Sequence, residues 1–229
     1  MAEQTPETLN HFAVVSFSQL YAQLPTAERH ARLRSWLDRL RAAAEAVHCY
    51  QLSGFESDGE LMVWSACSSA EPERVGRFFA DWAVAKASVR DLVEIRQVLW
   101  GFTRPSPYTR TRSVQEVDPF GSARRPFMIV YPFVKTPDWY QLDRETRQQM
   151  MASHIRVGTQ YKEITQLLLY SFGLQDQEFV VVYETDDPRR FLSLVQELRS
   201  TEARIYTLRD APLHTGQLLA DMEAIPAWL

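Results

Sequence analysis

The sequence predicts an α+β fold built from two successive halves, each ordered β-α-β-β-α-β. Three observations predict it: the same order of hydrophobic periods occurs twice, residues 103–126 between the two runs break every period, and each run is long enough for its own core. The chain has 229 residues, which accommodates two units of roughly 100 residues apiece.

In the first half, "HFAVVSF" is a short β-branched and aromatic run and reads as a strand. "TAERHARLRSWLDRLRAAAEA" then places Leu33, Trp36, Leu37 and Leu40 at helical spacing, with Thr26 as the expected cap. "HCYQLSGFESDGELMVWSAC" reads as two strands around an Asp58-Gly59 turn, "EPERVGRFFADWAVAKA" as a helix with Pro72 in its first turn, and "VEIRQVLWGFT" as a closing strand.

Residues 103–126, "TRPSPYTRTRSVQEVDPFGSARRP", are rich in proline, serine, threonine and arginine and read as a connector. The same order then returns. "PFMIVYPFVK" is a strand, "LDRETRQQMMASHIRVGTQY" a helix over 144–161 capped by Asp143, "ITQLLLYSFG" and "EFVVVYE" a strand pair, "DPRRFLSLVQELRS" a helix and "ARIYTL" a strand. The expected organisation is an N-terminal half over 1–106, a connector over 107–126 and a C-terminal half over 127–229. Each half is a split β-α-β unit of ferredoxin-like topology, with helices on one face of an antiparallel sheet. The bare sheet faces need cover, so packing of sheet on sheet and a homo-oligomer are expected.

Composition excludes several function classes. Lys and Arg number 25 against 29 Asp and Glu, a net charge of −4, so the mean field mildly repels nucleic acid and acidic membranes. Cys49 and Cys67 form no C-x-x-C pair, which argues against a disulfide framework, a structural zinc site and covalent haem attachment. The N-terminal residues lack a basic segment followed by an apolar one, and no apolar run approaches the ~20 residues that span a bilayer. A cytoplasmic protein without membrane insertion is expected. No G-x-S-x-G, P-loop, H-E-x-x-H or glycine-rich dinucleotide pattern occurs.

Three places carry candidate chemistry. In the helix over 144–161, His154 shares a face with Met150, Met151, Val157, Gly158 and Tyr161. Such a histidine is either a hydrogen-bonded core residue or a metal ligand. Gly158 costs about 0.8–1 kcal/mol against alanine inside a helix, which admits either a flat ligand such as a porphyrin or a close helix–helix contact. In "FMIVYPFVK" the strand period puts Tyr131 and Lys135 on one mostly aromatic face, about 13 Å apart. Pro132 implies an edge or a bulge there. This strand is either the wall of a site or a half-buried strand whose hydroxyl bonds backbone and whose lysine reaches water. Gln166 stands among leucines and needs a partner or a wet cavity.

Three stretches, "YPFVKTPDWYQLDRETRQQMMASHIRVG", "YSFGLQDQEFVVVYETDD" and "ELRSTEARIYTL", resemble the chlorite dismutase superfamily, which includes chlorite-decomposing enzymes and coprohaem decarboxylases. The likeness is strong over 127–210 and thinner, mainly element order and "GFTRPS", over 11–106. It implies a dimeric α+β barrel type fold with a non-covalent iron porphyrin, haem b or coprohaem, in the C-terminal half, and assembly into pentamers or dimers. By the resemblance, His154 is the proximal iron ligand and Gln166 takes the distal position, where chlorite-decomposing members carry arginine. Tyr131 matches a tyrosine that decarboxylases oxidise to a radical beside the propionate being removed, and Lys135 matches its companion. Arg104, Arg124 and Arg125 either bind propionates or form a solvated basic loop, and Glu202 is the candidate partner for the second nitrogen of His154. The implied activity is oxidative decarboxylation of coprohaem to haem b with hydrogen peroxide. The alternatives are chlorite dismutation, general haem peroxidation, or a non-catalytic haem carrier or sensor.

Overall fold

The computed structural model of the chain describes residues 7–108 and 115–220. The expected α+β architecture is present. Strands β1 (Thr8–Phe17), β2 (Ala46–Gln51), β3 (Leu61–Ser68) and β4 (Val93–Phe102) form the first half with helices α1 (Gln19–Gln23), α2 (Thr26–Ala43) and α3 (Pro72–Ala87). The second half repeats the order with β5 (Phe127–Lys135), α4 (Pro137–Gln141), α5 (Arg144–Gly158), β6 (Thr165–Tyr170), β7 (Phe179–Thr185) and α6 (Pro188–Leu198). A 3-10 turn (Glu202–Tyr206), β8 (Thr207–Arg209) and β9 (His214–Leu218) follow.

The halves do not form two separate sheets. The described strands form one antiparallel sheet ordered β7-β6-β4-β1-β3-β2-β9-β5-β8, and β7 also pairs with β5, so all but β8 close into a ring. One seam is the single pairing of Phe102 with Tyr170, and the other is β9, which pairs with both β2 and β5. Period-two alternation sends Phe12, Trp64, Leu99, Met128, Leu167 and Val182 into the barrel, where they form one buried cluster. Complete burial of such side chains contributes roughly 1.5–3 kcal/mol each.

Several local expectations are corrected. The segment "ARIYTL" is mostly the 3-10 turn, and only Thr207–Arg209 pairs, with Val134 and Lys135 of β5. Of the C-terminal stretch "HTGQLLADMEAIPAWL", for which no role is legible in sequence, the first five residues are β9; residues 221–229 lie outside the described residues. Pro25 occupies the N-cap of α2, with Thr26 inside it. The β2–β3 connection needs a positive φ at Gly54 (87°) rather than at Gly59, whose Cβ would instead strike Val14 and Leu52. Pro132 pairs with β7, and on its other side it falls in the gap between β9 and β8, where no N–H is demanded.

The two helix-covered faces differ in a way that bears on function. In the first half α2 buries Leu33, Trp36, Leu37 and Leu40 completely, and His11 of β1 sits among the rings of Phe78, Phe79 and Trp82. Side chains fill that layer. In the second half α6 buries Phe191 and Leu194, whereas α5 buries none of its residues fully.

Candidate active site

The site is the layer between α5 and the outer face of β5, β7 and β6. Strand register sets three cross-strand rows on that face: Ile129–Tyr183–Gln166, Tyr131–Val181–Leu168 and Phe133–Phe179–Tyr170. The first row begins in packed core, with Ile129 and Tyr183 clustered against Phe191 and Leu194. Towards β6 the cover thins: Leu168 is 42% exposed, and Phe172 and Leu174 in the following turn are 46% and 47% exposed. Large apolar side chains are thus left open towards β6, beside a helix none of whose residues is fully buried, while Tyr131, Val157 and Val181 pack against the cluster at the other end.

His154 projects from α5 into this region. The Asp143 carboxylate caps the helix by accepting from the Thr146 N–H at 2.8 Å. Burial, and then the nearby Lys135 ammonium, lower the imidazole pKa from 6.5 to about 4, so at neutral pH the ring is uncharged. Its Nδ1 is buried and has no hydrogen-bond partner. A neutral imidazole with an unsatisfied buried nitrogen has what a metal ligand needs; His11 shares both properties but is enclosed by the rings of Phe78, Phe79 and Trp82. Gly158 is the last residue of α5, with Thr159 as C-cap, so the helix-interior penalty inferred from sequence does not apply. A Cβ there would meet nothing within 4 Å, which removes the helix–helix contact and leaves open space.

Tyr131 and Lys135 project from β5 to the same layer. The Tyr131 ring stacks on Tyr183, with centroids 6.4 Å apart and planes at 23°. Burial, followed by Tyr183, pushes the Tyr131 phenol well above its ordinary pKa, so it stays protonated across the physiological range. Lys135 is 9% exposed. Its Nζ donates to the Ala203 carbonyl at 3.1 Å and lies 4.2 Å from the Trp139 ring centroid. Burial, then Arg204, lower its pKa to about 8. The Glu178 carboxylate accepts from the Lys135 N–H at 2.8 Å and from the Tyr140 hydroxyl at 2.6 Å, tying β5, α4 and the start of β7 together at the rim.

Gln166 lies on β6 with its side chain exposed on this same face. Its backbone is held from the connector: its N–H donates to the Gln115 carbonyl at 2.8 Å, and its carbonyl accepts from the Val117 N–H at 2.9 Å. Gln115 also donates from its side chain to the Tyr161 and Ile164 carbonyls at 2.8 and 3.0 Å. Residues 115–117, read from sequence as mere connector, thus fix the α5–β6 corner. Arg104 lies over the Tyr170 ring at 5.8 Å, at the edge of the open layer.

Two sequence candidates are not brought there. The Arg124 side chain is 4% exposed, 3.5 Å from Glu184 and 5.1 Å above the Trp64 ring, at the end of the barrel interior. Burial raises the Glu184 pKa, and a buried carboxylate of that kind needs a cation. Arg125 pairs with Asp186 at the opposite end of β5 from Lys135. The Glu202 expectation also fails, since no hydrogen bond reaches His154 Nδ1.

The family model described as chlorite dismutase matches residues 26–219. The chain belongs to the chlorite dismutase family. It is 28% identical over 225 residues to the coproheme decarboxylase of Staphylococcus saprophyticus, covering 87% of this chain and 88% of that protein. It is 26% identical over 172 residues to the coproheme decarboxylase of Mycolicibacterium smegmatis, covering 73% and 70%. The solved chlorite dismutase of Candidatus Nitrospira defluvii in complex with imidazole superposes with a TM-score of 0.75 at 21% identity, covering 94% of this chain and 92% of that one; this likeness concerns the fold. In this member of the chlorite dismutase family, sequence reading missed Tyr183, Glu178 and Gln115. Tyr183 carries a signal in its alternation with Val182 and Glu184, whereas Gln115 carries none.

Proposed function

We propose that this chlorite dismutase family member is a coprohaem decarboxylase, converting propionate substituents of an iron porphyrin to vinyl groups with hydrogen peroxide. The observation that carries the reading is a neutral His154 whose buried nitrogen lacks a partner, beside apolar side chains left exposed along β6 and the turn after it, with Tyr131 on the facing strand. A flat, apolar macrocycle whose metal accepts a nitrogen ligand fits that combination, and His154 would hold it. The bound iron porphyrin supplies redox chemistry with peroxide.

Each conversion takes one propionate, one peroxide and one proton to one vinyl group, one CO₂ and two waters. Tyr131 is the residue suited to the hydrogen-atom step. Burial keeps its O–H intact, so it would give up proton and electron together and recover them from the propionate carbon attached to the ring, the neighbour of the carbon that loses its carboxylate. Lys135, held by Ala203 and Trp139, is the charge that orients that carboxylate. Gln166 offers a neutral amide on the same face. A positioned cation is what stabilises an oxyanion in chlorite chemistry, so glutamine there supports the decarboxylase reading.

The test is ferric coprohaem titration followed by mass analysis of the porphyrin after stepwise peroxide. The expected results are a histidine-ligated Soret band lost in His154→Ala, and two successive losses of a carboxyl group. Tyr131→Phe is expected to bind porphyrin and leave it intact. Full turnover by Tyr131→Phe removes the tyrosine from the mechanism, oxygen evolution from chlorite reassigns the activity, and reversible binding with unchanged porphyrin makes the protein a carrier.

A further inference from the structure

The face of α5 that carries His154 carries one more group. Residue 147 lies seven positions earlier, which in an α-helix is two turns back on nearly the same bearing and about 10.5 Å along the axis. Arg147 is half-buried, its Nε is buried without a hydrogen-bond partner, and no ion pair engages its guanidinium among the described residues. Arg29 also has a buried, unpartnered Nε but donates to the Thr26 hydroxyl at 3.2 Å, and Arg124 is compensated by Glu184. A partly desolvated guanidinium left without an anion is costly, and a protein keeps one where an anion arrives from outside.

The surroundings indicate what arrives. The charge of Arg147 is felt at the phenols of Tyr108 and Tyr140, which stand at the rim of the apolar layer with Glu178, Lys135 and Trp139. Arg147 therefore borders the layer at its α4 end, two helical turns from His154. The separation along α5 matches the reach from the centre of a tetrapyrrole to the carboxylate of one of its propionate arms.

We propose that Arg147 binds a propionate carboxylate of the tetrapyrrole and is a specificity-determining residue, selecting porphyrins with a free carboxylate at that corner. The proposal rests on the porphyrin reading of the site and adds which part of the ligand is recognised and by what. The guanidinium fork donates two parallel N–H bonds to one carboxylate, a geometry that lysine does not reproduce. Arg147 thereby sets the rotation of the macrocycle in its plane, while His154 holds only its centre.

The experiment uses iron-free coproporphyrin and its tetraamide, so that neither iron ligation nor turnover enters the readout. Binding to the ligand-free protein is followed by porphyrin fluorescence for the parent, Arg147→Met and Arg147→Lys. Arg147→Met is expected to weaken coproporphyrin about ten- to hundredfold, the range of one charge-assisted hydrogen-bonded contact, and to leave the tetraamide within about twofold. Arg147→Lys is expected to recover part of the loss. Far-ultraviolet dichroism and the melting midpoint confirm the fold of each variant. Equal weakening of both ligands by Arg147→Met, or of neither, overturns the proposal while the porphyrin reading stands. A parent protein that binds neither ligand overturns both.

Discussion

At the scale of single residues, His154 combines two properties, which it shares with the ring-packed His11: it is held neutral by its surroundings, and a buried nitrogen goes unsatisfied. The first has a measurable sign. Its folded pKa of about 4 lies below the ordinary 6.5, so as pH falls from 6.5 towards 4 the unfolded chain takes up a proton that the folded chain refuses. Stability from this group is complete above 6.5 and lost through that window, by on the order of 3 kcal/mol. His11, with its pKa also lowered to about 4 by burial, adds a loss of the same sign. Denaturant unfolding of the ligand-free protein at pH 7.5, 6, 5 and 4.5 is expected to show the decline, with a clearly shallower slope in His154→Gln. An unchanged slope would mean that residue 154 is solvated in the folded state. Tyr131 was legible as a candidate because period-two alternation places it; its stacking on Tyr183 was not, since that contact joins strands 52 positions apart in sequence and depends on register.

At the scale of elements, the contrast between α2 and α5 is the informative one. Both follow a strand and a short helix in equivalent places, yet α2 is anchored by Trp36 and three leucines while α5 leans on α6 and the 3-10 turn without burying a residue fully. A helix anchored so lightly depends on its ends. Asp143 secures one. The other is secured by the Gln115 amide, which donates to the Tyr161 and Ile164 carbonyls. Gln115→Ala is expected to cost about 1–2 kcal/mol and to speed amide exchange at Val117 and Gln166, whose N–H groups belong to the same corner. Exchange that stays unaltered at both amides would show that backbone pairing alone holds it. The existence of α5 and its cap were readable from its period and from Asp143. Its end at Gly158 was not, because the apolar spacing continues to Tyr161 beyond the last helical turn.

At the scale of the whole molecule, the two halves share one closed sheet, and the seams are narrow. At one, a Cβ on Gly101 would lie 2.8 Å from the Tyr170 carbonyl; at the other, a Cβ on Gly216 would lie 2.9 Å from Tyr50 Cβ. Gly101→Ala and Gly216→Ala are each expected to cost about 1–3 kcal/mol through overpacking. Calorimetry is expected to show one cooperative transition for parent and variants alike, whereas two separable transitions would mean that the halves fold independently and the seams matter little. The sequence by itself determined the order of elements, the duplicated topology, and the candidacy of His154, Tyr131, Lys135 and Gln166, because helix and strand periods are local and assign each side chain to a face. Only the tertiary structure decided that β9 closes the barrel, that Arg124 neutralises Glu184 inside it, and that the β6 side of the layer under α5 is left open. Those outcomes depend on which faces meet and on how much volume the meeting side chains fill, and no local period carries that information.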